Sequence, residues 1–200
     1  MKKTLPVLAS STLLAACGGG GSSAAPGNGT GTAPLSVYAG IWQAPCDNHE
    51  LDTVALNARA DGSLEVVARA EYFLASDCSG TPVATQTTSA NPSIVLTGSS
   101  DSPIKLNAGS ATTTVKLDKV NVSVPSYKTL ITGAGVQYVV ELGQAKWCFN
   151  LGGSSRNCIP DTGTEPASAT SGGIYISGNT LYLLSLSNGT YVPDEVYTRK

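Results

Sequence analysis

Residues 51–74 read Leu-Asp-Thr-Val-Ala-Leu-Asn-Ala-Arg-Ala-Asp-Gly-Ser-Leu-Glu-Val-Val-Ala-Arg-Ala-Glu-Tyr-Phe-Leu, and their periodicity decides the fold. Leu64, Val66, Ala68, Ala70, Tyr72 and Leu74 share one parity; Glu65, Arg69 and Glu71 share the other with Val67 and Phe73. A period of 2 held that long marks a strand with one face buried. Before it, Val54, Leu56, Ala58 and Ala60 alternate with Thr53, Asn57 and Arg59. Asp61-Gly62 between the two runs is the strongest short hairpin signal. Leu and Ala also favour helix, so 51–60 carries a competing helical reading. The alternation and the turn together predict one β-hairpin over 51–74.

The same pattern recurs outward from the hairpin. Residues 93–97 form a short run bounded by Pro92 and Gly98. Residues 112–124 form a long one whose apolar phase changes, with Val115 and Leu117 on one parity and Val120, Val122 and Val124 on the other. A bulge near Asp118-Lys119 accounts for the change, and bulges bend long strands. Residues 135–149 read as one strand with Val136, Tyr138, Val140 and Leu142 on a face. The end of the chain holds 174–176, 180–186 and 195–199, with turns at Gly178-Asn179 and Asn188-Gly189. About nine strands without a long helix predict an all-β domain, a barrel or a sandwich. Very long strands favour an antiparallel meander closing into a barrel of about eight or nine strands, because closure hides the edges. The β-sandwich is the alternative.

Composition agrees. Gly, Ser, Thr and Val are plentiful and charged residues are only 13% of the chain, which favours strands and turns. There are 12 basic and 14 acidic residues. Without Lys2 and Lys3 the balance is ten against fourteen, a net charge of −4. That argues against nucleic acid and against a basic membrane-binding surface.

The N-terminus carries a different signal. Lys2 and Lys3 precede an apolar run, residues 5–14, and Leu14-Ala15-Ala16-Cys17 closes it. About ten apolar residues are too few to span a membrane, which takes roughly 20. The pattern resembles a bacterial lipoprotein signal with its lipobox. That resemblance implies cleavage after Ala16, with residues 1–16 as signal peptide. It also implies a diacylglycerol on the Cys17 sulfur and a third acyl chain on its amino group. One myristoyl chain binds a membrane only marginally, whereas several hold firmly. Gly18, where a retention aspartate would stand, implies the outer membrane. Residues 17–34 are nearly all Gly, Ser, Ala, Thr, Pro and Asn and read as a flexible tether. The random-coil relation sets a mean reach of roughly 20–25 Å. Gly27-Asn28-Gly29-Thr30-Gly31 inside it is no nucleotide loop, since no strand precedes it and no helix follows. Residues 35–200 then form a single all-β domain.

At the start of that domain stands Gly40-Ile41-Trp42, and at its end Tyr197-Thr198-Arg199. The pair resembles the ends of lipocalin-like barrels, which begin on Gly-x-Trp and close by laying a late Arg or Lys over the tryptophan. The resemblance assigns barrel closure to Gly40, Trp42 and Arg199, and it implies a small apolar ligand inside the barrel. A match to that family's middle Thr-Asp-Tyr motif and to its C-terminal helix is missing.

Four further cysteines remain: Cys46, Cys78, Cys148 and Cys158. Four cysteines allow three connectivities. In a meander, Cys46 follows the first strand and Cys78 ends the third, so both lie at one end of the sheet. Cys148 and Cys158 flank a polar loop with Gly152-Gly153 at its tip. The expected disulfides are Cys46–Cys78 and Cys148–Cys158.

Catalytic signals are weak. The single histidine, His49, stands among Asp47, Glu50 and Asp52, and reads as a solvated loop beside a disulfide. A second histidine for zinc and a calcium-loop pattern are missing. There is no Gly-x-Ser-x-Gly elbow, and Ser154-Ser155 falls in the expected disulfide loop. Asp194 and Glu195 are neighbours on a strand and face opposite ways. No catalytic residue, metal or cofactor is assigned, and an enzyme is not expected. The expectation is an outer-membrane lipoprotein, bound to the membrane through its lipid. It presents a stapled β domain to an unknown envelope or surface partner. The alternative is a lipoprotein that binds a small apolar ligand.

Overall fold

The computed structural model describes residues 34–152 and 156–200. The expected signal peptide, Cys17, the expected tether as far as residue 33, and Ser154-Ser155 therefore lie outside the described residues. A short 3-10 turn, Pro34–Tyr38, leads into fourteen strands. These are β1 (Gly40–Gln43), β2 (Glu50–Ala58), β3 (Leu64–Phe73), β4 (Pro82–Thr88), β5 (Ser93–Ile104), β6 (Thr113–Val124) and β7 (Tyr127–Thr132). Then come β8 (Gln137–Glu141), β9 (Gln144–Asn150), β10 (Arg156–Pro160), β11 (Thr164–Glu165), β12 (Ser168–Ser177), β13 (Thr180–Ser187) and β14 (Thr190–Arg199).

Eight strands close a ring in the order β3-β2-β1-β14-β13-β12-β6-β5, and β5 returns to β3 through Leu64↔Ile94 and Glu65↔Ser93. Taken in chain order these eight form an antiparallel meander with two insertions. β4 is one. β7 to β11 are the other. The branch point is β3: its start pairs with β5, while Ala70–Phe73 pair with β4. From there β4, β7 and β11 extend the same sheet outside the ring. β8, β9 and β10 make a separate three-stranded sheet.

Every ring strand sends a large side chain inward. Trp42, Val54, Leu56, Leu64, Ile94, Val120, Ile174, Leu181 and Tyr197 pack with Leu35 and Tyr38 of the 3-10 turn. Apolar burial at roughly 25 cal/mol per Å² makes this cluster the main source of stability. A small cluster lies nearby at Ile104, Leu117, Leu184 and Tyr191. There β12 needs glycine, since a Cβ on Gly173 would sit 2.8 Å from Leu117 Cδ2. A third cluster, Ala70, Tyr72, Ala84, Ile131 and Phe149, joins the extension to the three-stranded sheet. Here, among the described residues, two sheets pack on each other, as a sandwich would have them.

The hairpin at 51–74 is β2–β3, paired from Glu50↔Tyr72 to Ala58↔Leu64. Its loop is longer than Asp61-Gly62 alone. The Gly62 N–H donates to Arg59 O at 3.0 Å, Gly62 has φ 85°, and Asp61 Oδ1 accepts from the Ser63 N–H. That is a β-turn closed by a glycine bulge. Ala58 and Ala60, expected to face inward, are exposed, because the strands end before them or at them. Leu74 is also exposed rather than inward: β3 shifts register between Tyr72 and Phe73, which buries Phe73 instead.

Three further expectations change. Residues 93–97 are only the start of β5, which runs to Ile104 because β6 pairs with it throughout. The phase change in β6 is present, with Leu117 and Val120 both buried. The extra residue, however, is Thr97 on β5, whose hydroxyl donates to Lys119 O at 3.0 Å. Residues 135–149 are two strands, β8 and β9, joined by a turn at Leu142-Gly143.

Candidate functional site

The described residues offer two places for function, the base of the ring and the hairpin of the small sheet. At the base, β1 and β14 meet with Trp42 opposite Arg199. Trp42 is fully buried, and its indole N–H donates to Tyr38 O at 2.9 Å. Arg199 Cζ lies 4.3 Å from the ring centroid. The guanidinium also donates from Nη1 to Ala39 O at 3.3 Å and from Nη2 to Val37 O at 3.4 Å. Gly40 has φ 141°, and a Cβ there would come 3.0 Å from Arg199 Nη1. So Gly40, Trp42 and Arg199 act as one unit: glycine leaves the space the guanidinium fills. The Tyr38 hydroxyl donates to Asp118 Oδ2 at 2.7 Å and lies 3.2 Å from Ile174 O. Burial first, then the Asp118 hydrogen bond and charge, push this hydroxyl well above the usual tyrosine range. All of these contacts tie the 3-10 turn into the ring. They close it rather than offering a reactive group to solvent.

His49 sits beyond β1 with φ 82° and its Nδ1 lies 3.0 Å from Phe73 O. Its backbone N–H donates to Ser76 O and its C=O accepts from the Phe73 N–H. It therefore pins the loop that carries Cys46. Nearby, the Tyr72 hydroxyl lies 3.2 Å from Glu50 Oε1 and 3.1 Å from Gln86 Oε1. Burial, and next the Glu50 charge, push Tyr72 upward in the same way. Sequence reasoning missed Gln86, because β4 carried no alternation strong enough to place it opposite Ala70. Among the described residues no group of three His, Cys, Asp or Glu side chains is placed to hold a metal ion. Asp194 accepts from Ser185 Oγ at 2.8 Å on a strand face.

The disulfides join Cys46 to Cys78 and Cys148 to Cys158. The first links residues 32 apart at a Cα separation of 5.9 Å. The second joins direct cross-strand neighbours of β9 and β10, 4.1 Å apart at Cα. It staples the sheet that carries the second place of interest.

Along that sheet runs an apolar stripe. Phe149 is buried in the cluster it shares with Tyr72, and Trp147 and Val136 are partly buried against it. Tyr138 packs on Trp147 with centroids 4.6 Å apart and rings tilted by 56°, and is half exposed. Val140 is 66% exposed, and Leu142 at the turn is completely exposed. Leu142 and Gly143 have φ 52° and 76°, the signature of a type I′ turn. That turn strongly prefers Asn-Gly, and a left-handed conformation costs a residue such as leucine roughly 1–2 kcal/mol. The Trp147 indole N–H, on the same face, is shielded from water and meets no acceptor among the described residues. Ion pairs hold the flank of the sheet, from Arg156 and Lys146 to Glu141 at 2.9 and 3.8 Å. Sequence reading placed Val136, Tyr138, Val140 and Leu142 on one face but missed the turn, because Leu-Gly is not a recognised turn pair.

Compared with protein-family models, with curated proteins and with solved structures, the chain matches none.

Proposed function

We propose that this is a lipid-anchored protein of the bacterial outer membrane whose stapled β domain docks a partner through the β8–β9 hairpin. The observation that carries the docking element is Leu142. An apolar side chain stands fully exposed at a position where its backbone conformation is unfavourable and where asparagine would suit the fold better. Strain kept at an exposed apolar tip points to selection for contact rather than for stability. The anchor rests on Leu14-Ala15-Ala16-Cys17 and the small-residue stretch after it. The lipocalin-like reading of the ring is supported by Arg199 lying over Trp42 beside Gly40. Its ligand-carrying version is disfavoured, because eleven side chains pack together in the ring interior.

Two measurements test the proposal. Labelled palmitate should enter the wild type and not Cys17→Ser, and the wild type should partition into detergent. Partition of both into buffer would refute the anchor. Leu142→Asp should abolish association of the domain with its partner, read by chemical cross-linking in cells that retain the lipid. Unchanged association would refute the hairpin.

A further inference from the structure

We infer that the occupant of the β8–β9 hairpin is a second copy of this chain, added strand to strand along β8. The inference rests on the reading of the hairpin as a docking element and names its partner. The sheet order is β10-β9-β8, so among the described residues β8 is an edge paired on one side alone. Glu141↔Gln144 flanks the two-residue turn, which makes it a hydrogen-bonded pair. Antiparallel ladders alternate, so Val139 and Gln137 also turn their backbone groups to β9. Tyr138 and Val140 then direct N–H and C=O outward, ready to template another strand.

The residues on this edge complement themselves. An antiparallel second copy centred on Val139 sets Val139 against Val139, and Tyr138 against Val140 twice. Four backbone hydrogen bonds result, two for each Tyr138–Val140 pair. Aromatic and β-branched side chains are favourable cross-strand neighbours. Glu141 falls opposite Gln137, so no like charges face each other, and Glu141 keeps its own Arg156 and Lys146. Leu142 falls opposite the second copy's Val136, which is partly buried at the root of the stripe. Val136, Tyr138, Val140 and Leu142 thus form one band that meets its own reverse. A register centred on Val140 would pair fewer strand residues and set Leu142 against Tyr138. The isologous geometry closes after two copies, as a two-fold interface must.

Cysteine cross-linking of the full, lipidated chain in producing cells reads the register. Facing residues of a non-hydrogen-bonded pair lie about 4.5 Å apart at Cα, within disulfide range. Val139→Cys should give a covalent dimer. Gln137→Cys and Glu141→Cys should each fail alone, since each residue would lie roughly 13 Å along the strand from its own copy. Co-expressed, those two should cross-link. Equal cross-linking at all positions, or none at Val139, would overturn the inference. A photo-reactive amino acid at Leu142 separates this failure from that of the docking reading. An adduct of twice the chain mass agrees with self-pairing. An adduct with a different envelope protein, or with lipid, overturns self-pairing and leaves contact through the hairpin standing. No adduct at all overturns both.

Discussion

The ring and the small sheet are built from the same alternation, yet one buries its apolar residues and the other displays them. In the ring every strand has at least two neighbours, and each inward residue meets others from across the interior. In the small sheet the root of the apolar face, at Phe149, Trp147 and Val136, packs against the rest of the domain. Tyr138, Val140 and Leu142 continue the same face beyond that contact. Period 2 therefore says which residues share a face, and closure decides whether that face becomes core. That stripe, on a sheet held by a disulfide and ion pairs, is the surface the proposed docking uses.

The largest expected contrast is between Trp42 and that stripe. Trp42→Ala should lower stability by about 3–5 kcal/mol in urea unfolding, the usual cost of emptying a buried tryptophan site. An effect below 1 kcal/mol would mean the base is not part of the core. Next come the staples. By loop-closure entropy, replacing Cys46 and Cys78 by serine should cost about 3.7 kcal/mol, and replacing Cys148 and Cys158 about 2.8 kcal/mol. The second pair should loosen only the hairpin, seen as faster amide exchange confined to β8–β10. Ring amides exchanging faster to the same degree would erase the distinction between the two regions.

Alkaline pH probes the buried tyrosines, two in the ring and Tyr72 in the cluster at the β3 branch. Burial, as the first cause in each, raises the hydroxyls of Tyr38, Tyr72 and Tyr197 above the ordinary value of 10.0. A raised folded pKa means stability is complete below the unfolded value and is lost as pH climbs through the folded one. Stability should thus hold to about pH 10 and fall above it, with the tyrosinate absorbance of these residues appearing only with unfolding. Their titration in a still-folded protein would contradict the packing. A smaller effect is expected at Arg199. Arg199→Ala should cost about 1 kcal/mol, through the lost cation–π contact and the lost packing of its stem. It should also red-shift Trp42 emission in a Trp147→Phe background. An unchanged spectrum and midpoint would remove Arg199 from the closure.

Much of this was legible in residues 51–74 and in the turns at Gly178-Asn179 and Asn188-Gly189. Alternation there coincides with turn residues of ordinary chemistry. The partner of Cys46 followed from which end of a meander each residue reaches, and that of Cys148 from the short polar loop it flanks. The losses share a physical reason. Ser99, Ser100 and Ser102 carry no apolar signal, so the second half of β5 is held by pairing to β6 and, at Ile104, by Tyr191 of β14. Thr97 is the inserted residue, but its effect on side-chain phase appeared in β6. Leu142-Gly143 hid a turn because an apolar residue stands where turn chemistry calls for Asn. The candidate site was missed for that same reason: the residue that breaks the local rule is the one the site depends on.

Leu142→Asn therefore tests the account most directly, by urea unfolding of the full chain. Asparagine suits the left-handed turn position and removes nothing from the core. The account predicts a rise in stability of about 0.5–1 kcal/mol, in the range of substitutions that match a backbone conformation. A fall of 1 kcal/mol or more would place Leu142 in a contact that holds the domain itself together. The hairpin would then belong to the fold, and the contrast between the closed ring and the displayed stripe would be wrong.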